Sequence, residues 1–419
     1  IAETDFGTAY YARCSEFQSP EVCHTLHILT PSIGPDTKSQ VLALLFLDHI
    51  TDQLNPTLAA ASSAGLTTRF SIERSELLLQ LSGFSEKAPL LLEEILRNLT
   101  LHPPTQEEFA LYFERHEKIF SNAGKELACR QARELLDSLI KNDKPTSKER
   151  LAALRSIRYE DFVAFCKTLF DEVYLKAVFS GSLTESEALS CWIDALHALG
   201  KSPYAKNRHP ENSVLRLNPD KGPYRITQGV EVMGNASLLL IDEGAFSFER
   251  RGSQEILSLA IKEAFFQELR TKQKTGYIAF SDAQEIEGNL YQYFVVQSNT
   301  HQPEDLLYRF ELFLETYLQN FSTEITQERF ETLRASAIDS LKTRYRNLRS
   351  KAVLWDALAF QYKKDFAFIE KRIQALETLK YDTFSSTAED FLSRENRRRL
   401  ALLFEGKVTR PFAYEPLSP

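Results

Sequence analysis

Apolar residues return every three or four positions in "QVLALLFLDHITDQLN" (40–55) and in "APLLLEEILRNL" (88–99). That spacing lays one apolar stripe along a helix. Between them, "GLTTRFSIER" (65–74) and "ELLLQLSGFS" (76–85) alternate apolar and polar positions, as strands with one buried face do. The same order of helix, strand, strand, helix returns in "QEILSLAIKEAFFQELRTK" (254–272), "GYIAFSDAQE" (276–285), "NLYQYFVVQS" (289–298) and "EDLLYRFELFLETYLQNF" (304–321). Leu257, Ile261, Ala264, Phe265 and Leu269 form the stripe of the first of these helices, and "EGN" marks the turn between the two strands.

The correspondence continues downstream. A long charged helical stretch follows each set, 105–140 and 326–362, and both open on "TQE(E/R)F", which resembles a helix N-cap signal. "LRSIRYEDFVAFCKTLF" (154–170) parallels "LETLKYDTFSSTAEDFL" (376–392), with Tyr159 matching Tyr381 and Phe162 matching Phe384. Each copy ends on a strand, "LKAVFSGSL" (175–183) and "LALLFEGKV" (400–408). The chain therefore reads as two copies of one α+β domain, 1–199 and 224–419, joined by a linker at 200–223 rich in Pro, Asn and Lys. Strands in adjacent pairs with helices between them predict a mainly antiparallel or mixed sheet with helices packed on one face, not a doubly wound parallel sheet.

Composition narrows the function classes. A chain of 419 residues suits two domains, and 43% hydrophobic with 26% charged residues describes a soluble globular protein. The net charge of −8 disfavours nucleic acid as a partner. The longest apolar run, "VLALLFL" (41–47), is far short of the roughly 20 residues that span a bilayer, so no membrane partner is expected. The chain starts at Ile1, which suggests a processing site or a cut end, so the absence of a leader says nothing about compartment. Five sparse cysteines, Cys14, Cys23, Cys129, Cys166 and Cys191, are expected to be unpaired thiols; Cys14 and Cys23 could flank a hairpin. No Walker A loop, nucleotide-binding Gly fingerprint or Gly-x-Ser-x-Gly elbow occurs.

One stretch carries candidate chemistry. In "ELRTKQKTGYIAFS" (268–281) an Arg closes a helix, and a Gly-Tyr pair opens a strand, with Tyr277 seven positions after Arg270. Read without further context, Arg270 suits a helix C-terminus and Tyr277 suits a strand start. The segment resembles the "LRT…GY…FS" segment in the C-terminal half of the insulysin/pitrilysin family of zinc peptidases, the inverted-zincin group, and "GNLYQYFVVQS" resembles the strand that follows there. The resemblance implies the third and fourth homologous domains of a four-domain peptidase of the M16 type, each of the LuxS/MPP-like metallohydrolase fold. It also implies peptide substrates, and a zinc ion carried by an N-terminal catalytic half, in the same gene or on a separate subunit. Its periplasmic and cytoplasmic members leave the compartment open. By the same resemblance Arg270 and Tyr277 are substrate-binding residues that hold the peptide backbone near the scissile bond, where donors can stabilise charge developing during attack by zinc-bound water. Gly276 is expected to supply a positive φ before the strand. Gln273, Lys274 and Thr275 depart from the commoner "EQLGY" of the family without disturbing the Arg and Tyr positions.

The family's His-x-x-Glu-His signature, and the forward His-Glu-x-x-His, are both absent. "HEKIF" (116–120) has Phe120 where a second His would be needed, and "HTLH" holds His24 and His27 with no acidic residue between them. Asp48 and His49 fall on the helix that matches the zinc helix by repeat position, but one His is not a site. This chain alone is thus expected to bind no metal, to hold no catalytic residue and to be inactive. Two readings follow: the substrate-holding half of a clamshell zinc metalloendopeptidase, or a catalytically silent peptide-binding or scaffold module. Arg250 and Arg251 could face an enclosed chamber or form a solvated corner, the basic run "ENRRRL" (395–400) reads as a surface turn, and Phe109, Phe113, Phe330, Tyr345 and Trp355 read as helix-face core.

Overall fold

A computed structural model describes residues 1–100 and 104–407, so the last residue of the expected closing strand, Val408, and the rest of the second expected domain, 409–419, lie outside it. The first copy runs β1 (Ala2–Thr4), β2 (Gly7–Arg13), β3 (Glu21–Leu29), α1 (Thr37–Ser63), β4 (Leu66–Glu73), β5 (Glu76–Phe84), α2 (Ala88–Asn98), α3 (Gln106–Ala123), α4 (Ala128–Ile140), α5 (Ser147–Ser156), α6 (Tyr159–Thr168), β6 (Tyr174–Gly181) and α7 (Glu185–Leu199). The second runs β7 (Tyr224–Met233), β8 (Asn235–Ala245), α8 (Phe248–Phe266), a π-helical turn (Gln267–Lys272), β9 (Ile278–Ile286) and β10 (Asn289–Ser298). It continues with α9 (Pro303–Gln319), α10 (Phe321–Glu324), α11 (Gln327–Thr343), α12 (Leu348–Asp356), a second π-helical turn (Ala357–Gln361), α13 (Phe368–Thr378), α14 (Tyr381–Leu392) and β11 (Arg399–Lys407). None of the described helices is long and apolar enough to cross a membrane.

Helix ends follow local chemistry. Asp36 caps α1 by accepting from the backbone N–H of Ser39 at 2.9 Å. Thr105 and Glu108 form a reciprocal capping box before α3 (2.7 and 3.2 Å), and Thr326 accepts from the Arg329 N–H at 3.2 Å before α11. The first helix outruns its apolar pattern: α1 continues through Pro56 to Ser63. Beyond the proline, Leu58 and Ala61 pack against the core and hold that end of the helix in place. Each long charged stretch breaks once, leaving α3 and α4 in one copy and α11 and α12 in the other.

The chain forms two compact units that interleave along the sequence. The first comprises residues 1–121, 142–212 and 342–369. Its six-stranded sheet has the order β1-β2-β6-β3-β5-β4, with β2 and β6 parallel and the other pairs antiparallel. Leu26, Ile28, Leu79, Ala177 and Phe179 turn one face into the main core with α1, α2 and α7. Cys23 on the other face packs against Leu348 and Ala352 of α12.

The second unit comprises residues 122–141, 213–341 and 370–419. Its five strands run β7-β11-β8-β10-β9, with β7 and β11 parallel and β9 at an edge. Leu239, Ile241, Phe294 and Val296 face α8, α9 and α14. Leu238, Leu240, Tyr293 and Phe404 face α4, which contributes Ala132, Leu136 and Ile140. The linear division at 199 and 224 thus differs from the compact units by two exchanged segments, 122–141 and 342–369. Each carries an amphipathic helix that covers the second face of a sheet, a docking that chain order alone does not encode. Burying a Leu or Ile side chain there contributes about 1.5–3 kcal/mol.

Phe109, Phe113, Phe330 and Trp355 lie in or against the cores. All five cysteines are free thiols. Cys14 and Cys23 do not flank a hairpin: Cys14 follows β2, Cys23 sits on β3, and β6 runs between those strands. Strands two places apart are separated by about 9.6 Å, beyond disulfide reach.

Candidate substrate-binding site

Helix α8 begins on Ser247, whose hydroxyl accepts from the Arg250 N–H at 3.1 Å. Leu257, Ile261, Phe265 and Leu269 are buried, and Ala264 packs half-buried beside them. That stripe anchors the helix and leaves Phe266 and Arg270 on a neighbouring face. The last turn widens to π geometry, with the Gln273 N–H donating to the Glu268 carbonyl at 3.0 Å. The Thr275 N–H and hydroxyl both donate to the Leu269 carbonyl, at 3.0 and 2.8 Å. Side chains brace the turn: Lys272 and Gln273 each donate to Glu268 at 3.0 Å, and Arg309 bridges Gln273 (2.8 Å) and Asp305 (3.0 Å). Such π-turns recur at functional sites.

Gly276 has a different task from the one its sequence position suggests. Positive φ occurs at Lys274 (54°), not at Gly276. A Cβ on Gly276 would lie 1.9 Å from the Gln297 carbonyl oxygen, so the glycine permits close approach to β10. β9 begins two residues later, paired at Ile278 with Gln297.

The structure brings Arg270 and Tyr277 together. The guanidinium carbon of Arg270 lies 4.6 Å from the centre of the Tyr277 ring and 4.8 Å from that of Phe266. Each exposed contact of this kind contributes about 0.5–1 kcal/mol and restricts the guanidinium plane. Tyr277 is 82% exposed. Neither the Arg270 guanidinium nor the Tyr277 hydroxyl hydrogen-bonds to any other described residue. Two adjacent donor groups, a rigid cationic fork and a neutral phenol, are therefore available beside an edge strand. Phe266 was not singled out in the sequence; its spacing of four from Arg270 on one helix was the available signal.

Other candidates have structural roles. Arg250 donates to the Glu243 carbonyl (2.6 Å), pairs with Asp390 (2.9 Å) and lies over Phe391, so it is neither a solvated corner nor an open donor. Arg251 is tied to Gln254 and lies 3.5 Å from Glu255. The basic run at 395–400 is only partly a surface turn. Arg399 is buried, donates to the Leu392 and Ser393 carbonyls and pairs with Glu311.

The residues at the zinc-helix position do not fit that metal. His49 is buried on α1 with its ring edge-on to Tyr112. Asp48 lies 3.3 Å from His116 Nε2, but Arg115 also pairs with Asp48 (3.0 Å) and Asp52 (3.5 Å). That guanidinium puts a positive charge on the carboxylates a cation would need. No group of three or more His, Cys, Asp or Glu among the described residues is arranged to hold a metal ion. His24 is buried, which pushes its pKa down to about 4. Burial also disfavours the His27 charge, yet hydrogen bonds with Asp356 and Glu76, both at 2.9 Å, outweigh it and raise its pKa to about 9.

Comparison with known proteins bears on the family and the fold. Residues 1–153 match the family model "middle or third domain of peptidase M16", and residues 256–355 match "PQQ synthase PqqF-like, C-terminal lobe domain 4". The chain is 22% identical to the A-factor-processing enzyme of Saccharomyces cerevisiae over 97% of its own length and 40% of that protein's. It is 25% identical to the insulin-degrading enzyme of Bos taurus over 95% of its own length and 39% of that protein's. It thus spans about 40% of the length of these curated relatives. All of it superposes on 44% of pitrilysin with a TM-score of 0.84 at 18% identity. Likewise, 98% of it superposes on 99% of a peptidase M16 inactive domain from Pseudomonas fluorescens, with a TM-score of 0.70 at 12% identity. With the middle-domain model on residues 1–153, peptidase relatives along nearly the whole chain and the superposition on pitrilysin, the chain belongs to the M16 peptidase family as a protein of its C-terminal half.

Proposed function

We propose that this chain is the substrate-holding half of a zinc metalloendopeptidase, closing over peptides that an N-terminal half cleaves. The observation that carries this reading is the Arg270–Tyr277 pair: stacked, presented at the surface, and with its donors engaged by no other described residue. The hydrolytic metal belongs to the other half, and this chain's part is to bind and orient. The Arg270 fork donates to peptide carbonyl oxygens, the Tyr277 phenol adds a neutral donor, and the Phe266 ring holds the fork in place. The length of the relatives supports a missing half, and relatives named for degrading insulin and processing A-factor support peptides as the substrate class.

A second reading is a peptide-binding module that supports no cleavage. The inactive M16 domain that this chain covers almost end to end favours it. The test mixes the chain with a zinc-loaded N-terminal half and follows a quenched fluorescent peptide. Turnover well above that of the N-terminal half alone, lowered by Arg270→Ala through about 1.5–3 kcal/mol in kcat/KM and by Tyr277→Phe through about 1 kcal/mol, supports the first reading. Confirmed association with no gain in turnover supports the second.

A further inference from the structure

Among the described residues β9 is an open edge of the second sheet: β10 pairs with one side of it and no strand pairs with the other. It is nine residues long and keeps unbroken register with β10 from Ile278 to Ile286. It contains no proline, lysine or bulge, the devices that ordinarily close a sheet edge. Alternate residues of an antiparallel strand turn their N–H and C=O groups outward, so these groups recur along the edge about every 6.8 Å. Among the described residues, no backbone group of 278–284 hydrogen-bonds to any element other than β10.

The side chains along this edge add a second observation. One face of β9 sets Phe280 and Asp282 beside Tyr293 of β10. Phe280 is exposed, with its ring edge-on to that of Tyr293 at 6.2 Å. Asp282 accepts from the Tyr293 hydroxyl at 3.1 Å and pairs with no cation among the described residues. Where the strand starts stand the uncommitted donors of Arg270 and Tyr277. A row of main-chain donors and acceptors is complemented by another extended main chain. A second copy of β9 fits poorly, because centred antiparallel pairing sets Asp282 opposite its own copy, and like charges directly opposite are destabilising.

We propose that the open edge of β9 takes an extended peptide as an additional strand. The peptide's main chain pairs with the outward groups of β9, and one end of it reaches Arg270 and Tyr277. Its alternate side chains then lie beside Phe280 and Asp282, which favours an apolar residue and a Lys or Arg two positions apart. Elsewhere, pairing through the main chain tolerates any sequence. The proposal rests on the substrate-holding reading and adds how the peptide is held and which side chains it prefers.

The test uses the full chain and a blocked peptide, acetyl-Thr-Ser-Thr-Leu-Thr-Lys-Thr-Ser-Thr-amide, with binding read by calorimetry and by amide hydrogen exchange. Saturable binding is expected, with alternate amides of 278–284 exchanging about tenfold more slowly when the peptide is bound. Two analogues carry N-methyl groups, one on the odd residues and one on the even. The analogue whose methyl groups face β9 should bind about tenfold or more weakly, and the other like the parent. Replacing the peptide's Lys by Glu should weaken binding to the native chain but not to Asp282→Asn, which keeps an acceptor for the Tyr293 hydroxyl. No binding at about 1 mM peptide, methylated analogues that bind alike, or slowed exchange at β9 in a dimer without peptide overturns the proposal. Turnover by the mixed halves that falls on Arg270→Ala, with no slowing of exchange at β9, removes strand addition and leaves the substrate-holding reading standing. Slowed exchange at β9 with turnover indifferent to Arg270→Ala does the reverse.

Discussion

At the scale of single residues, the strongest constraint in the candidate site falls on a glycine. Gly276 faces the Gln297 carbonyl so closely that a methyl group cannot enter without displacing β10 or the π-turn. Gly276→Ala is expected to lower stability by about 2 kcal/mol or more, read as the urea midpoint, and to weaken peptide binding with it because Tyr277 is the next residue. A full-stability Ala variant would contradict the close approach. Arg270 and Tyr277 offer the opposite case. Their removal should cost only the exposed ring contacts, about 1 kcal/mol in stability, while costing more in substrate handling. Arg270 and Tyr277 could be singled out in the sequence because their segment resembles one of a known family; residue type and spacing alone read as a helix-to-strand corner. The reason for the Gly was not, because the carbonyl it avoids lies on another strand, twenty-one positions on.

At the scale of elements, the outer face of the first sheet carries a charged clamp. His27 on β3 hydrogen-bonds Glu76 on β5 and Asp356 at the end of α12, and Lys176 on β6 pairs with Glu76 at 2.5 Å. His27 has a folded-state pKa near 9, above its ordinary 6.5. Its contribution to stability is therefore complete below about pH 6.5 and is lost as pH rises through 9. Glu76 has its pKa lowered from 4.5: burial opposes the shift, but His27 and Lys176 outweigh it. Its contribution is present above pH 4.5 and is lost as pH falls through the lowered value. Asp356→Ala should destabilise the chain by about 3 kcal/mol near pH 6, with the gap to the native protein narrowing toward pH 10. Thermal melts across that range check it, and a gap independent of pH would show that His27 is not the group involved. Helices and hairpin strands were readable from periodicity. The π-turns were not, since they differ from α-helix by one step of backbone hydrogen bonding over five or six residues.

At the scale of the whole molecule, each sheet is covered on both faces, and one cover comes from the other sequence repeat. A fragment of residues 1–199 therefore lacks the segment 342–369 that buries Cys23 and supplies Asp356 to His27. Such a fragment is expected to melt well below the full chain, or to aggregate, and to be stabilised by an added peptide of residues 342–369. A fragment as stable as the full chain by circular dichroism would refute this. The exchange also explains why the duplicated sequence suggested two consecutive domains: repeats record the order of elements, whereas compactness depends on which apolar faces meet.

The sequence by itself determined the duplicated α+β plan, the helix and strand stripes, the missing zinc signature and the positions of Arg270 and Tyr277 at a helix end and a strand start, because periodicity, composition and motif spacing are local properties. Tertiary structure alone decided the exchange of α4 and α12, the burial of Arg399, and the stacking of Arg270 against Phe266 and Tyr277. Each of these depends on contacts between residues far apart in the chain or on the precise course of the backbone, and neither is written in the spacing of side chains along one segment.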